Sequence, residues 1–190
     1  MSRPDLTPVS YVVLGIISRD GPSTPYELKA AVGRGIAHFW PFPHSQIYSE
    51  SERLAGMGLL AEEREDAGRR RRIYDVTDAG RAALRDWLAE PTAEVPQIRS
   101  LALLKLFFGQ FADPTDLAML ANAQIKAFED HRAYFMQLLD HLEERGDRPW
   151  QLAVGRLMHD SHEALVARWE QIARTAEGTP STGDAAADRP

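Results

Sequence analysis

The sequence contains no cysteine, which removes disulfides, thiolate nucleophiles and the usual structural zinc sites together. Such a composition suits a reducing cytoplasm. Long apolar runs are missing too: Tyr11 to Ile17 falls far short of the roughly 20 residues a membrane span needs. No small-residue cleavage signature follows that run, so neither a membrane span nor a signal peptide is expected. Nor is there an excess of positive charge, since the formal net charge is -6. A uniformly basic surface is excluded, and only a local basic patch remains open. Glycine-rich phosphate loops, nucleophile elbows and HExxH are all absent from the sequence, so no enzyme, catalytic residue, cofactor or metal site is expected.

What remains is an ordinary globular composition of 190 residues, 44% hydrophobic and 26% charged, enough for one or two cores. The charge is uneven. Residues 1–90 hold 12 Lys and Arg against 13 Asp and Glu, whereas residues 91–190 hold 10 against 15. The N-terminal half, with four consecutive arginines at 69–72, is the better candidate for meeting a polyanion.

Helix signals are clear. Thr7-Pro8 opens a first helix that stops at Asp20-Gly21-Pro22. Its apolar residues cover more than one face, so it needs partners on several sides. Thr24-Pro25-Tyr26-Glu27 is a capping box that starts a second helix, with Leu28, Ala31 and Val32 inward. After an aromatic loop, a third helix runs from Ser45 to Gly58, with Ile47 and Leu54 as core residues seven apart. Segments 59–65 and 69–77 form a hairpin around Asp66-Ala67-Gly68. Thr77 caps a fourth helix to about Glu90, with Ala79, Ala83, Leu84, Trp87 and Leu88 buried. Beyond a proline-bearing linker come helices at 98–108, from Asp113 to Gly146, and from Pro149 to about Thr175. The domains expected are 1–90, a linker at 91–96, a helical region at 97–176 and a disordered tail at 177–190.

The element order of the first 90 residues is that of a winged helix-turn-helix, whose third helix enters a DNA major groove while the hairpin reaches flanking phosphates. The chain also resembles the PadR-type transcriptional regulators. The residues that carry the resemblance are Val13-Leu14-Gly15-Ile16-Ile17, Gly21-Pro22, Tyr26-Glu27-Leu28, Ser45-Gln46-Ile47-Tyr48, Arg53-Leu54, Gly58-Leu59-Leu60, Arg71-Arg72-Ile73-Tyr74, Val76-Thr77 and Gly80-Arg81. The family usually has proline and leucine where this chain has Ser49 and Ser51. Ser51 removes an apolar anchor between the third helix and the core.

The fold expected is therefore mainly α, a winged helix plus a C-terminal antiparallel three-helix dimerisation region. Ser45, Gln46, Tyr48, Ser49 and Arg53 on the third helix are candidate DNA contacts, because Gln pairs with adenine, Arg with guanine or phosphate, and hydroxyls with phosphate. A merely solvated face is the competing role. Arg69, Arg70, Arg71 and Arg72 are wing candidates, with Glu62, Glu63, Glu65 and Asp66 as possible internal partners that would consume their charge. Glu50 and Glu52 would repel phosphates unless paired, Glu52 with Arg53 or a wing arginine. Lys29 on the second helix is a secondary backbone contact.

The resemblance implies a homodimeric regulator, most often a repressor, on a palindromic operator in double-stranded DNA. It also implies a small, often aromatic, effector. Phe39, Trp40, Phe42, Trp87 and Trp150 are candidates to line that effector's site, with core packing as the competing role. The expected dimer interface comprises Val13, Leu120, Phe128, Phe135, Leu142, Val154, Leu157, Leu165 and Trp169. His159, Asp160, His162 and Glu163 lie close in sequence, but on a packing helix they read as surface or interface residues. A winged helix that binds protein and not DNA is the alternative the acidic balance allows.

Overall fold

The computed structural model describes residues 5–64, 71–146 and 148–179, which fall into two compact units divided between Val95 and Pro96. The hairpin turn at 66–68, Arg69, Arg70 and the chain from 180 onward lie outside the described residues.

In the N-terminal unit, α1 (Pro8–Asp20) and α2 (Pro25–Gly33) both start on capping boxes, Thr7 with Ser10 and Thr24 with Glu27. Each box satisfies backbone donors that the first helical turn leaves open. The Glu27 carboxyl sits below its ordinary value, chiefly because the Thr24 backbone N–H donates to its charged form. A short 3-10 turn (Ile36–His38) leads to α3 (Ser45–Gly56), followed by β1 (Leu60–Arg64), β2 (Arg72–Val76) and α4 (Asp78–Leu88). The strands pair antiparallel from Leu60 opposite Val76 to Arg64 opposite Arg72. On its other edge, Tyr74 exchanges two backbone hydrogen bonds with Ser23, both 3.0 Å. The wing is thereby tied to the loop between α1 and α2.

The all-round apolar character of α1 is explained by its position: it packs against α2, α3, α4 and β2. Val13, Leu14, Ile16 and Ile17 join Leu28, Val32, Ile47, Leu54, Leu59, Leu60, Tyr74 and Val76 in one core. Full burial of each large aliphatic side chain there contributes about 1.5–3 kcal/mol. Val13 is thus corrected from an interface residue to a core residue, only 1% exposed inside its own unit.

A second correction concerns α4. Only Gly80 is fully buried there, while Ala83 and Leu84 are half-buried and Ala79, Trp87 and Leu88 are exposed. The helix approaches the core through a glycine and has no large inward side chain at that contact. Trp87 covers one ring face by stacking on Tyr11, with centroids 4.4 Å apart and planes 7° from parallel, and leaves the other face open.

The C-terminal unit holds α5 (Leu101–Phe107), a 3-10 turn (Gly109–Phe111), α6 (Pro114–Arg145) and α7 (Pro149–Glu177). The last two form a hairpin through Gly146, whose φ of 67° is left-handed and favours glycine. They run antiparallel, since Arg156 pairs with Glu143 at 2.9 Å and Arg132 lies 3.8 Å from Glu163. Phe135, Leu142 and Trp169, expected at a dimer interface, are buried within this unit. Leu120 and Phe128 pack against its small core of Ala102, Ala121, Trp169 and Ala173. A heptad-like stripe calls for a partner helix, and here α6 and α7 largely supply each other's.

Candidate nucleic-acid interface

The third helix divides cleanly. Ile47, Glu50, Ser51 and Leu54 face inward, and the two polar residues among them are satisfied. Ser51 donates to the Ile47 carbonyl at 2.8 Å, so its burial leaves no orphan hydroxyl and α3 keeps its seat through Ile47 and Leu54. Glu50 receives a bidentate pair from Arg53, with Nε at 3.0 Å and Nη2 at 2.7 Å, and also accepts from the buried Ser10 hydroxyl. Such two-pronged charged bonds are the stronger kind.

Arg53 is correspondingly engaged. Besides Glu50 it donates to Ser10 Oγ at 3.1 Å and to the Asp5 carbonyl at 3.2 Å. Sequence reasoning offered Arg53 to DNA; the structure uses it to bolt α3 to α1 and the N-terminal segment. The signal available was the i,i+3 spacing of Glu50 and Arg53.

Burial pushes the Glu50 carboxyl up, but the hydrogen bonds from Arg53 and Ser10 outweigh it and leave the group below its ordinary value. The charged form is therefore favoured on folding. This contribution is present above the unfolded carboxyl's pKa and is lost as pH falls through the lower folded value. Glu50→Gln should lose about 1–2 kcal/mol at pH 7, and its deficit against the parent should shrink below about pH 4. Thermal unfolding at pH 7 and at acid pH checks this; a deficit independent of pH would refute it.

The outward stripe of α3 is Ser45, Tyr48, Ser49 and Glu52, all exposed, with Gln46 exposed beside it. Ser49 also donates to the Gln46 carbonyl at 3.3 Å, which leaves its oxygen able to accept. The wing stands next to this stripe, because Arg72 Nη1 bonds Glu52 and its Nε lies 3.6 Å from Glu62. Glu62 also holds Arg64 at 2.7 Å. Arg71 is exposed, and its charge reaches Glu27 at the start of α2. Lys29 and Tyr26 are exposed on α2. A second expected cation, Arg72, is thus paired internally, with Glu52 on α3 and more loosely with Glu62 across the strands.

Of the aromatic candidates, Trp40 and Phe42 line a cleft of about 410 Å³ with Thr7, Val9, Gln46 and Glu50. Phe39 is exposed nearby in sequence, Trp87 stacks on Tyr11 and is otherwise exposed, and Trp150 is exposed at the start of α7. In the C-terminal unit, Val154, Leu157 and Leu165 are exposed as an interface would require. The sequence reading missed a larger apolar surface there, on α5 and the turn after it, where Phe107 is 77% and Phe111 83% exposed. With Leu101, Leu104, Phe108 and Met119 it borders a cleft of about 730 Å³. On α7, ligand atoms of His159, Asp160 and Glu163 lie within 4.8 Å of one another. Arg132 beside Glu163 is a standing counter-charge to that group, while His162 turns to Phe128, His131 and Phe135.

A three-helix core, a two-stranded wing and an exposed polar helix beside that wing define a winged helix-turn-helix protein. Residues 13–86 match the model of the transcriptional regulator PadR-like family. Over that stretch the winged-helix unit of this chain is similar to the PadR-like family. The negative transcriptional regulator PadR of Bacillus subtilis is 28% identical over 102 residues, covering 53% of this chain and 56% of that protein. The match thus spans about half the length of that relative. Among solved structures, Bacillus subtilis PadR in complex with operator DNA superposes with a TM-score of 0.78 at 20% identity, over 88% of this chain and 98% of that one. The same protein in complex with p-coumaric acid gives 0.77 at 19%, over 92% and 99%. These likenesses extend the shared fold across both units.

Proposed function

We propose that this protein is a sequence-specific DNA-binding transcriptional regulator, a ligand-responsive repressor that works as a homodimer on a palindromic operator in the cytoplasm, and that it catalyses no reaction. The observation that carries this is the exposed stripe Ser45, Tyr48, Ser49 and Glu52, beside a wing, in a unit similar to the PadR-like family. In such a fold the stripe lies in the major groove, with Gln46 placed to read a base edge and Arg71 with Lys29 at phosphates. Arg69 and Arg70 would add to the wing's charge.

A single winged helix reads one half-site, and a twofold dimer supplies the second at about 34 Å, one turn of DNA. The exposed apolar residues of α5 and of α7 are what a second copy would cover, since a patch that large is uncommon on a monomer. The Bacillus relative is a negative regulator, and its structures hold operator DNA and p-coumaric acid. A small aromatic effector of this chain would find stacking partners in Trp40 and Phe42, where it would also touch Gln46.

Fluorescence anisotropy on the DNA upstream of its own gene and on a scrambled duplex, at two salt concentrations, tests the proposal. Preferential binding with two chains per site is expected. No binding to either duplex at low salt would favour the protein-binding winged helix instead.

A further inference from the structure

Glu52 stands on the outward stripe of α3, where the DNA reading above places a duplex carrying one negative charge about every 1.7 Å. A carboxylate there opposes affinity, yet it is bonded to the wing arginine Arg72. Arg72 also faces Glu62 at 3.6 Å, so two carboxylates share one guanidinium. The cation nearest the groove meets DNA already neutralised. We propose that Glu52 is a positioning residue for specificity, holding Arg72 off the phosphates of non-operator DNA and yielding it only to a duplex that the remaining contacts seat correctly.

The geometry suits exchange. Side-chain exposure is 59% for Glu52 and 40% for Arg72, and a pair that open to water is weak. A phosphate held at the right place by other contacts can displace Glu52, whereas a loosely held duplex offers Arg72 no fixed alternative. Glu50 and Arg53, on the same helix, show the contrast: Glu50 points inward and is only 11% exposed, and Ser10 and Asp5 brace the pair. That bond is built to stay.

The test uses the full chain in four forms, the parent, Glu52→Gln, Arg72→Ala and the double variant, on the upstream and scrambled duplexes across a salt series. Glu52→Gln should bind the scrambled duplex about twofold to fivefold tighter. Its plot of log affinity against log salt should steepen by about 0.9, one phosphate contact, and its preference for the upstream duplex should fall by a similar factor. In the Arg72→Ala background the same change should tighten both duplexes alike, through lost repulsion, and leave the preference for the upstream duplex unchanged. A fall in that preference that persists without Arg72 would overturn the proposal, because Glu52 would then not act through that arginine. Unchanged binding by Glu52→Gln, with the parent still bound to DNA, would overturn it and leave the DNA reading intact. No binding by any form to either duplex would remove the DNA reading and this inference with it.

Discussion

Gly80→Ala is expected to unfold the winged-helix unit or come close to it. A Cβ at this position would sit 2.2 Å from the Leu59 carbonyl oxygen, 3.0 Å from Val76 Cγ2 and 3.2 Å from Leu14 Cδ2. The first of these is backbone, and it cannot turn aside as a side chain would. Thr77 fixes it further, since its N–H donates to the Leu59 carbonyl at 3.1 Å and its hydroxyl at 3.0 Å. Relief requires α4 to lift off α1 and the hairpin, opening the core around Leu14. Overpacking of this kind costs about 3 kcal/mol or more when backbone must move, a large share of a small domain's stability. Urea unfolding measures it. A loss under 1 kcal/mol would mean that α4 is far less tightly seated than described.

Ending the chain after Glu90 should leave a folded monomer with poor operator affinity. The N-terminal unit has its own core of twelve buried residues, none of them beyond Val76, so its fold should survive by circular dichroism. What disappears is the non-covalent interface that would hold a second reading head beside the first. Joining two weak sites raises affinity by about 10² to 10⁴ through effective concentration alone, and that factor is the expected loss in anisotropy. Sedimentation should find a single chain; a truncated form that still dimerises would refute the assignment of the interface to α5 and α7.

The order of elements was legible because the punctuation was strong: Thr7-Pro8, Thr24-Pro25, Asp113-Pro114 and Gly146 all fall at element boundaries. Where punctuation was misweighed, boundaries slipped. The helix expected from Ile98 begins at Leu101, because Ser100 is the cap, its hydroxyl accepting from the Leu103 N–H at 3.3 Å. Apolar content alone had drawn the start too early.

Site residues were less legible, for two physical reasons. Whether a polar residue on α3 faces in or out depends on partners distant in sequence, as Glu50 depends on Ser10 forty positions earlier. An apolar stripe, for its part, does not say who covers it. Phe135, Leu142 and Trp169 carry the periodicity of an intermolecular seam and are covered within their own unit, while the exposed α5 surface, too short to show a period, was overlooked.

The bridge between Ser23 and Tyr74 bears on who deforms when the protein meets its site. A wing moored on both edges of its second strand cannot pivot to follow a groove without giving up backbone bonds in the middle of the core. If the unit binds DNA as proposed, the adjustment would fall to the nucleic acid, and base steps that bend or narrow at small expense would be favoured at positions no side chain touches. Selection by the stiffness of DNA would then follow from two backbone hydrogen bonds inside the fold.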